Sequence, residues 1–435
     1  MMKKILLLIA ILFTLTSCAS HTNEQPAEQQ LALDNPALWQ ANTNTLWNKL
    51  QREPLANLTT QQASTKNPIA NGWLKLAIIN KSYNNNTQQL TQALANWRKE
   101  FPHHPANAIF VDDNTLTALN TQTKPKQIAV LLPLEGMYGD KGANVRDGIM
   151  SAASVDTDKP QIRFYDTEKN ANIQALYQKA LKEGADFVIG PLVKNNVQEL
   201  LQQGNFPVPT LALNYTQTPL PTNVYEFGLS PQDEATQLIE KAHQSGFSRV
   251  LIIAPQSNWG HGIAQNITEH WQAVGGRVVD TYYFSGNSNF SQDIAQLLHA
   301  KTDDLTHQQH RQDVDVIFLL AQPENARLIA PLLKYYGMTN TPIYSTSVIY
   351  SGMPSPNRDS ELNGIAFIDA PLTLQKNNNR LYAVGRDAYY ISQHLQRMNQ
   401  LANFPVYGGT GALTMSSNRQ IHRRLPWVTM HDGHP

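Results

Sequence analysis

The feature that most constrains how this chain can fold is a series of short apolar segments, alternating with helical ones, that starts near residue 126. The first five apolar segments are IAVLLP, IRFYD, DFVIG, PTLAL and VYEFGL, and helical segments separate the first four. Segments that are apolar throughout are typical of strands buried on both faces of a parallel sheet. The first series therefore predicts a parallel sheet covered by helices.

A second series of the same kind follows, with the apolar segments RVLIIAP, RVVDTYYF, VDVIFLLA and PIYSTS between four helical segments. Two such series over about 300 residues exceed what one open sheet usually holds. The predicted fold class is therefore α/β, with two lobes that each contain a parallel sheet with helices on both faces. A cleft should lie between the lobes, at the carboxyl ends of the strands.

The region before this series has helical periodicity instead. NGWLKLAIINKSY and TQQLTQALANWRKEF form two amphipathic segments separated by an Asn-rich turn. The pattern fits a tetratricopeptide-like (TPR-like) repeat with a lengthened turn, and it fits a generic helical hairpin equally well. Because about three repeats are normally needed for a continuous core, we predict a short all-α domain over residues 36–120 that either packs on its neighbour or is only marginally stable.

Composition excludes one class of partner. The chain of 435 residues carries 34 Lys and Arg against 34 Asp and Glu. It therefore has no excess of positive charge with which to bind nucleic acid or anionic lipid.

The N-terminus has the pattern of an export signal. Lys3 and Lys4 precede an apolar run, Ile5 to Leu15, that is shorter than the ~20 residues needed to span a bilayer. Residues 15–18, LTSC, resemble a bacterial lipobox; the resemblance implies a signal peptide over residues 1–17, lipidation of Cys18 and a polar tether over residues 18–35. The alternative is an ordinary signal peptide with an incidental cysteine. Position 19 is Ala rather than Asp, which by analogy implies the inner leaflet of a Gram-negative outer membrane.

A glycine-rich turn follows the first predicted strand, in IAVLLPLEGMYGDKGANVRDGI (residues 128–149). Its glycine spacing fits neither the dinucleotide fingerprint nor the P-loop, so a phosphate site is the weaker of two interpretations. The other is a strand-to-helix turn that lines a cleft. No cofactor is predicted.

This turn, together with DFVIGPLVKNNVQELL and VPTLALN, resembles the first lobe of type I periplasmic binding proteins. We assign residues 126–435 to such a module, with lobe 1 at about 126–229 and 345–400, and lobe 2 at about 230–344 and 401–435. The resemblance implies that the turns after the strands line the cleft. The cleft candidates are Glu135, Gly136, Tyr138, Gly139, Asp166, Pro191, Asn214, Asn258, Trp259 and Gly260.

Several polar residues have two interpretations each. Glu135, Asp166 and Asp369 follow strands and are expected either to meet an ammonium group in the cleft, or to cap the following helix or face water. Trp259 is expected either to contact a ligand or to pack over a helix start. His103 with His104, and His307 with His310, lack the third ligand that zinc needs, so we predict surface histidines and no metal site.

The C-terminal segments LYAVGRDAYYISQHL and YGGTGALT…IHRRLPW resemble one lipoprotein family, the LppC-type penicillin-binding-protein activators. The matching residues are Gly385, Asp387, Ala388, Gly409, Thr410, Gly411, Leu413, Ile421, Arg423, Leu425 and Trp427.

The resemblance implies a non-enzymatic outer-membrane lipoprotein that binds a bifunctional penicillin-binding protein and stimulates its peptide cross-linking. The motifs G-x-S-x-G, S-x-x-K and H-E-x-x-H are not found in the sequence. The helical domain is shorter than that of better-known members. The alternative is a solute-binding lipoprotein for an amino acid or a peptide-like ligand.

Overall fold

The computed structural model describes residues 43–84, 86–108, 124–169, 172–300, 311–376 and 379–435. Cys18, the signal segment, the tether, His307 and His310 lie outside the described residues. Within the described ranges, no helix is both long and apolar enough to cross a bilayer.

Among its described residues, the helical domain has four α-helices and a short 3₁₀ turn at Pro105–Ala108. Asn67 caps the third helix, since its side chain accepts hydrogen bonds from two first-turn N–H groups, and Pro68 supplies a fixed φ at the first helical position. Three fully buried tryptophans, Trp47, Trp73 and Trp97, fill the core. The two predicted amphipathic segments are confirmed as helices. The four helices are α1 Thr43–Arg52, α2 Leu55–Ser64, α3 Pro68–Ser82 and α4 Thr87–Glu100.

His104 belongs to this core, so its prediction as a surface histidine is wrong. Its ring lies 5.3 Å from that of Trp73 and 5.1 Å from that of Trp97, measured between centroids. Nε2 is 2.8 Å from the carbonyl oxygen of Ile69, to which it donates, and Nδ1 accepts a hydrogen bond from the backbone of Ala106. Burial lowers the pKa of His104, which favours the neutral ring that this pairing requires.

In the part of the remaining chain that the structure describes, fourteen strands form two sheets. In chain order they are β1 Gln127–Leu132, β2 Gln161–Asp166, β3 Phe187–Ile189, β4 Thr210–Ala212, β5 Val224–Phe227, β6 Arg249–Pro255, β7 Arg277–Phe284, β8 Val316–Leu319, β9 Ile343–Ser345, β10 Ala366–Ile368, β11 Val406–Tyr407, β12 Ala412–Met415, β13 Gln420–Arg424 and β14 Trp427–Thr429.

Helices cover both faces of these sheets. They are α5 Gly139–Ser154, α6 Ile173–Lys182, α7 Lys194–Leu201, α8 Pro231–Gln244, α9 Asn258–Ala273, α10 Phe290–Leu297, α11 Pro323–Leu333, α12 Pro356–Asp359, α13 Pro371–Lys376 and α14 Arg380–Gln400. Short 3₁₀ turns occupy Gly136–Tyr138, Ser347–Ile349 and Ser360–Leu362, and a π-helical segment occupies Lys334–Met338.

The two sheets confirm the predicted two-lobed fold. The first has the strand order β11-β12-β13-β5-β4-β3-β1-β2, and the second has the order β14-β10-β9-β8-β6-β7. Strands β1 to β5 pair in parallel, as do β6 to β10, so each lobe is built from β-α-β units. The carboxyl ends of each parallel set therefore lie at one edge of the sheet.

The C-terminal strands do not follow the predicted lobe boundaries. Residues 401–435 were predicted in lobe 2, yet β11, β12 and β13 extend the sheet of lobe 1, and only β14 lies in lobe 2. Residues 345–400 were predicted in lobe 1, yet β10 pairs with β9 in lobe 2. The reason is long-range pairing: β13 lies parallel to β5, with Gln420 opposite Glu226, and no local pattern encodes that contact.

Helices α5 and α14 cross at unusually close range on lobe 1. A Cβ added at Gly148 would lie 2.1 Å from the carbonyl oxygen of Tyr382, and one added at Gly385 would lie 2.0 Å from that of Val145. The glycines therefore let the two backbones touch, which accounts for Gly385 in the family-like tail.

The helical domain is docked on lobe 1. Leu401 and Phe404, which follow α14, are buried in the core of the helical domain. Asn84 pairs with Tyr407 as a strand would, donating to its carbonyl oxygen and accepting from its N–H, both at 2.9 Å. The buried guanidinium of Arg397 donates to the carbonyl oxygen of Asn84. Of the two predicted outcomes for the short helical domain, packing on a neighbour is the one observed.

Candidate functional site

A cavity of about 550 Å³ lies at the carboxyl ends of the lobe 2 strands, where the chain first crosses from lobe 1. Leu229 and Pro231 of the crossover form one side, and the ends of β6, β7 and β8 form the others. Most of the lining is apolar, and Glu234 is the single charged side chain in it. A volume of this size falls in the range of roughly 300–1,000 Å³ found for small-molecule pockets.

The structure does not bring the lobe 1 candidates into this cavity. Their polar groups serve their own turns: Asp166 Oδ1 accepts hydrogen bonds from the N–H groups of Leu134 and Glu168, both at 3.0 Å. Glu135 pairs with Lys169 on the surface, with 2.5 Å between Oε1 and Nζ. Of the interpretations offered for these carboxylates, the described contacts favour exposure to water for Glu135. Asp166 instead accepts hydrogen bonds within its own turn.

The remaining lobe 1 candidates also serve the local structure of their own turns. Asn214 donates to the carbonyl oxygen of Leu192 and accepts from the N–H of Tyr215. Pro191 is buried after a cis peptide bond with Gly190, and the ring of Tyr138 lies 5.1 Å from the Nζ of Lys141. Gly136 has a φ of +68° at the start of the 3₁₀ turn, and Gly139 begins α5. Whether these residues meet a ligand stays a prediction.

Of the three candidates in the lobe 2 turn, one lines the cavity and two do not. Trp259 lines the cavity and is 38% exposed, whereas Asn258 and Gly260 do not line it. Gly260 is required by packing, because a Cβ there would lie 2.0 Å from the carbonyl oxygen of Pro255. Ser257, missed by the sequence analysis, caps α9 by accepting a hydrogen bond from the N–H of Gly260 and also lines the cavity.

The floor of the cavity connects to a buried charged network that joins the lobes. Glu234, at the start of α8, accepts hydrogen bonds from the N–H and hydroxyl of Ser347, at 2.8 and 3.1 Å. It also pairs with Arg423 of lobe 1, at 3.3 Å. Both charged side chains are almost fully buried, so each depends on the other for its charge compensation.

A second buried pair lies beside the first. Arg380, at the start of α14, binds both carboxylate oxygens of Asp369 and donates to the carbonyl oxygens of Ser347 and Tyr350, each at 2.8 Å. Asp369 was predicted to meet a ligand, to cap the following helix or to face water. Its side chain is fully buried, so it does not face water, and its carboxylate binds Arg380. Burial raises the pKa of Asp369, although the guanidinium opposes that shift.

One face of helix α8 carries this network along β13. Asp233 accepts a hydrogen bond from the ring of His422. Gln237 donates to the carbonyl oxygen of Arg423 and accepts from the N–H of Leu425. Glu240 forms an ion pair with Arg424. Glu240 also pairs with Arg52 of the helical domain at 3.3 Å. Helix α8 therefore contacts lobe 1 and the helical domain while packing in lobe 2.

The tail motif around Asp387 is also structural. Its carboxylate is buried and accepts hydrogen bonds from the N–H of Gly409, at 2.6 Å, and from the N–H of Thr410, at 2.7 Å, as well as from the Thr410 hydroxyl. A Cβ at Gly408 would lie 2.5 Å from the Asp387 oxygens. Backbone N–H groups of the GGTG segment therefore bind the Asp387 carboxylate of α14. The segment can approach this carboxylate so closely because residue 408 has no Cβ.

Metal binding has no support among the residues that the structure describes, where no group of three or more His, Cys, Asp or Glu side chains is arranged to hold an ion. The sequence signals that could have revealed the Glu234–Arg423 pair were weak. Glu234 and Arg423 are 189 residues apart, and only the family-like tail pointed to Arg423.

Comparison with known proteins places these features in a family. A family model described as "LppC putative lipoprotein" matches residues 27–433. The penicillin-binding protein activator LpoA of Photobacterium profundum is 27% identical over 434 residues, which cover 90% of this chain and 70% of that protein.

Two solved structures share the fold. Full-length LpoA from Haemophilus influenzae superposes with a TM-score of 0.62 at 24% identity, covering 92% of this chain and 74% of that one. The C-domain of LpoA (YraM) from the same organism, a regulator of PBP1A, gives a TM-score of 0.60 at 23% identity and covers 71% of this chain and 98% of that one. Because the family model matches nearly the whole chain, this protein belongs to the LppC family.

Proposed function

We propose that this protein activates a bifunctional penicillin-binding protein and so stimulates the peptide cross-linking of peptidoglycan. The observation that carries the proposal is the match over 90% of the chain to a relative named as a penicillin-binding protein activator. The docked arrangement of helical domain and two-lobed module supports it, since both parts of the matched region are folded together here.

Activation by binding has a thermodynamic requirement. The protein must bind the active conformation of the synthase more tightly than the inactive one, because equal affinity for both would shift no population. We place the contact with the synthase on the two-lobed module, because the helical domain is short and one of its faces is docked against lobe 1. In this role the protein is not itself an enzyme.

The anchor is part of the same proposal. Lipidation of Cys18 would hold the protein in the inner leaflet of the outer membrane, and several acyl chains anchor far more firmly than one. Membership of a lipoprotein family supports lipidation. Placement in the outer membrane rests on Ala19 in the sequence.

The test is peptide cross-linking from lipid II by the organism's own bifunctional synthase, with and without the soluble chain that starts at Ala19. A several-fold rise in cross-linking is expected. A control with the synthase's transpeptidase site blocked by penicillin tests whether the added chain contributes any cross-linking of its own; none is expected. The absence of both stimulation and binding to the synthase would contradict the proposal.

A second candidate function is a receptor for an amino acid or a peptide-like solute. The observation in its favour is the 550 Å³ cavity with Trp259 in its wall and the buried carboxylate of Glu234 at its floor. A receptor would be stabilised by its ligand by RT ln(1 + [L]/Kd). A melting temperature raised by L-leucine or D-alanine, and not raised in Trp259→Ala, would favour the receptor; no shift with a panel of free amino acids is the result expected for the activator.

A further inference from the structure

A second concavity lies away from the interlobe cleft, at the junction of the helical domain with lobe 1. It is a groove of about 1140 Å³. One wall is the start of α4, and the other is formed by α14 with the end of α5 and the Gly408–Gly409 turn. We call it the junction groove. It exists only because the two domains are docked.

Its lining is polar but balanced in charge. Two cations, Lys124 and Arg386, face two carboxylates, Asp156 and Asp387. Both carboxylates are engaged: Asp156 accepts from the hydroxyl of Tyr389 at 2.9 Å, and Asp387 holds the glycine turn. The balance disfavours a polyanion such as nucleic acid and equally disfavours a polycation.

Uncharged hydrogen-bonding groups make up most of the remaining lining. The helical domain contributes Gln88 and Gln92, both exposed, and lobe 1 contributes the phenols of Tyr389 and Tyr390. These hydroxyls donate to Asp156 and to the carbonyl oxygen of Asn84, so each has only its oxygen left as an acceptor. The side chain of Gln88 has no hydrogen-bond partner within the described residues, and that of Gln92 contacts only the exposed Asn96. Carboxamides offer both donors and acceptors, which suits hydroxyl and acetamido groups.

An aromatic pair lies on the lobe side of the groove. The rings of Tyr390 and His394 are stacked, with centroids 4.0 Å apart and planes 16° from parallel. Nδ1 of His394 lies 2.8 Å from the carbonyl oxygen of Tyr390 and must donate to it, so in the neutral ring Nε2 is left as an acceptor. Burial lowers the pKa of His394 to about 4, which keeps the ring neutral near pH 7.

Other classes of ligand fit less well. A lipid chain would find few apolar contacts, chiefly Ala152, Val155 and Leu372. A peptide adding to the sheet would need the outer edge of β11, where Asn84 already occupies the backbone of Tyr407.

We propose that the junction groove binds a neutral oligosaccharide, with Gln88 and Gln92 bonding its polar rim from the helical domain and the Tyr390–His394 pair contacting it from lobe 1. A sugar ring combines hydroxyl groups at its rim with C–H groups on its faces, which matches carboxamides set opposite aromatic rings. A volume above the range of roughly 300–1,000 Å³ for small-molecule pockets accommodates several linked rings. This inference goes beyond activation and does not depend on it, since it can be tested without a synthase.

The probe is tetra-N-acetylchitotetraose, titrated calorimetrically into the chain that starts at Ala19. Saturable binding with a Kd of about 1 mM or tighter is expected. The double variant Gln88→Ala/Gln92→Ala should weaken it about tenfold, as expected for two lost hydrogen bonds. Gln89→Ala, an exposed glutamine on the same helix that does not line the groove, is the matched control and should leave the affinity unchanged.

A third variant tests the lobe side. His394→Phe keeps an aromatic ring but removes the Nε2 acceptor, and it should weaken binding severalfold while the melting temperature shows that the fold is kept. No saturable binding by the unaltered chain would overturn the proposal. Binding that both the glutamine and the histidine variants leave unchanged would overturn the assignment to this groove, and tighter binding of a heparin tetrasaccharide would overturn the neutral class.

Discussion

At the scale of single residues, the most consequential groups are charges buried away from water. Glu234 and Arg423 compensate each other across the lobes, and Nε and Nη1 of Arg423 have no hydrogen-bond partner within the described residues. Such a pair is costly to bury, but it is far more costly to break than to keep. We therefore expect the stability of the protein to be sensitive to single substitutions in this pair.

The first prediction concerns this pair. Glu234→Ala leaves the guanidinium of Arg423 buried without a counter-charge, and it should lower the free energy of unfolding by about 3–5 kcal/mol. Urea denaturation measures the change. Lys169→Met, which breaks the exposed pair with Glu135, is the control and should have no measurable effect. Equal, small effects of the two substitutions would show that the buried Glu234–Arg423 pair contributes no more to stability than an exposed pair.

The second prediction is a pH dependence from His394. Its pKa in the folded protein is about 4, below the ordinary value of 6.5, so the unfolded chain binds the proton more readily. Stability from this group is complete above pH 6.5 and is lost as the pH falls from 6.5 towards 4. Because the ring is partly exposed, we expect a loss of about 1–2 kcal/mol between pH 7 and pH 5.

The check is urea denaturation of the unaltered chain and of His394→Phe at both pH values. The variant lacks the titrating group, so its stability should change less over this interval. The difference between the two proteins isolates His394 from the carboxylates that titrate in the same range. Identical pH dependence in both would contradict the assignment.

At the scale of elements, backbone proximity decides which substitutions the helices tolerate. Gly385→Ala would place a Cβ 2.0 Å from a carbonyl oxygen of α5 and should cost about 2–3 kcal/mol through forced separation of the two helices. Gly262 on α9 has nothing within 4 Å of an added Cβ, so Gly262→Ala should be neutral or stabilising by up to about 1 kcal/mol. Thermal denaturation of both variants tests the contrast, and a harmless Gly385→Ala would disprove the close crossing.

The elements were largely predictable from sequence, but their assembly was not. Strands β1 to β9 lie in the short, mainly apolar segments identified from the sequence, although β2 and β7 include charged residues. The helices between them carry regular apolar stripes. Strands β11 to β13 are short, alternate in burial and join a sheet whose nearest strand lies about 190 residues earlier. The lobe boundaries failed there because only tertiary packing specifies the pairing.

The same limit applies to the candidate site. Trp259 was identified because it follows a strand, which is a local signal. The other charged and polar groups around the cavity, among them Glu234 and Ser347, come together only after the chain crosses between lobes. Asp166 and Asn214 also follow strands, yet their own turns use them. A residue that follows a strand can be predicted to lie at the carboxyl edge of the sheet. The same signal does not predict whether its side chain lines the cavity or bonds within its own turn.

At the scale of the whole molecule, the helical domain and the two lobes are expected to unfold together. Leu401 and Phe404 of the module are buried in the core of the helical domain, and α8 contacts all three parts through Glu240. A shared core of this kind couples the stabilities of the parts it joins.

Calorimetry of the chain from Ala19 should therefore show one transition. A fragment starting at Lys126 should melt several degrees lower, because two apolar side chains become exposed at a cost of about 1.5–3 kcal/mol each. Trp47→Ala should lower the single transition of the longer chain, whereas Leu55→Ala, at a side chain 41% exposed, should hardly move it. Two transitions, the upper one at the melting temperature of the fragment, would mean that the helical domain is an independent unit, and the junction groove would then open before the module unfolds.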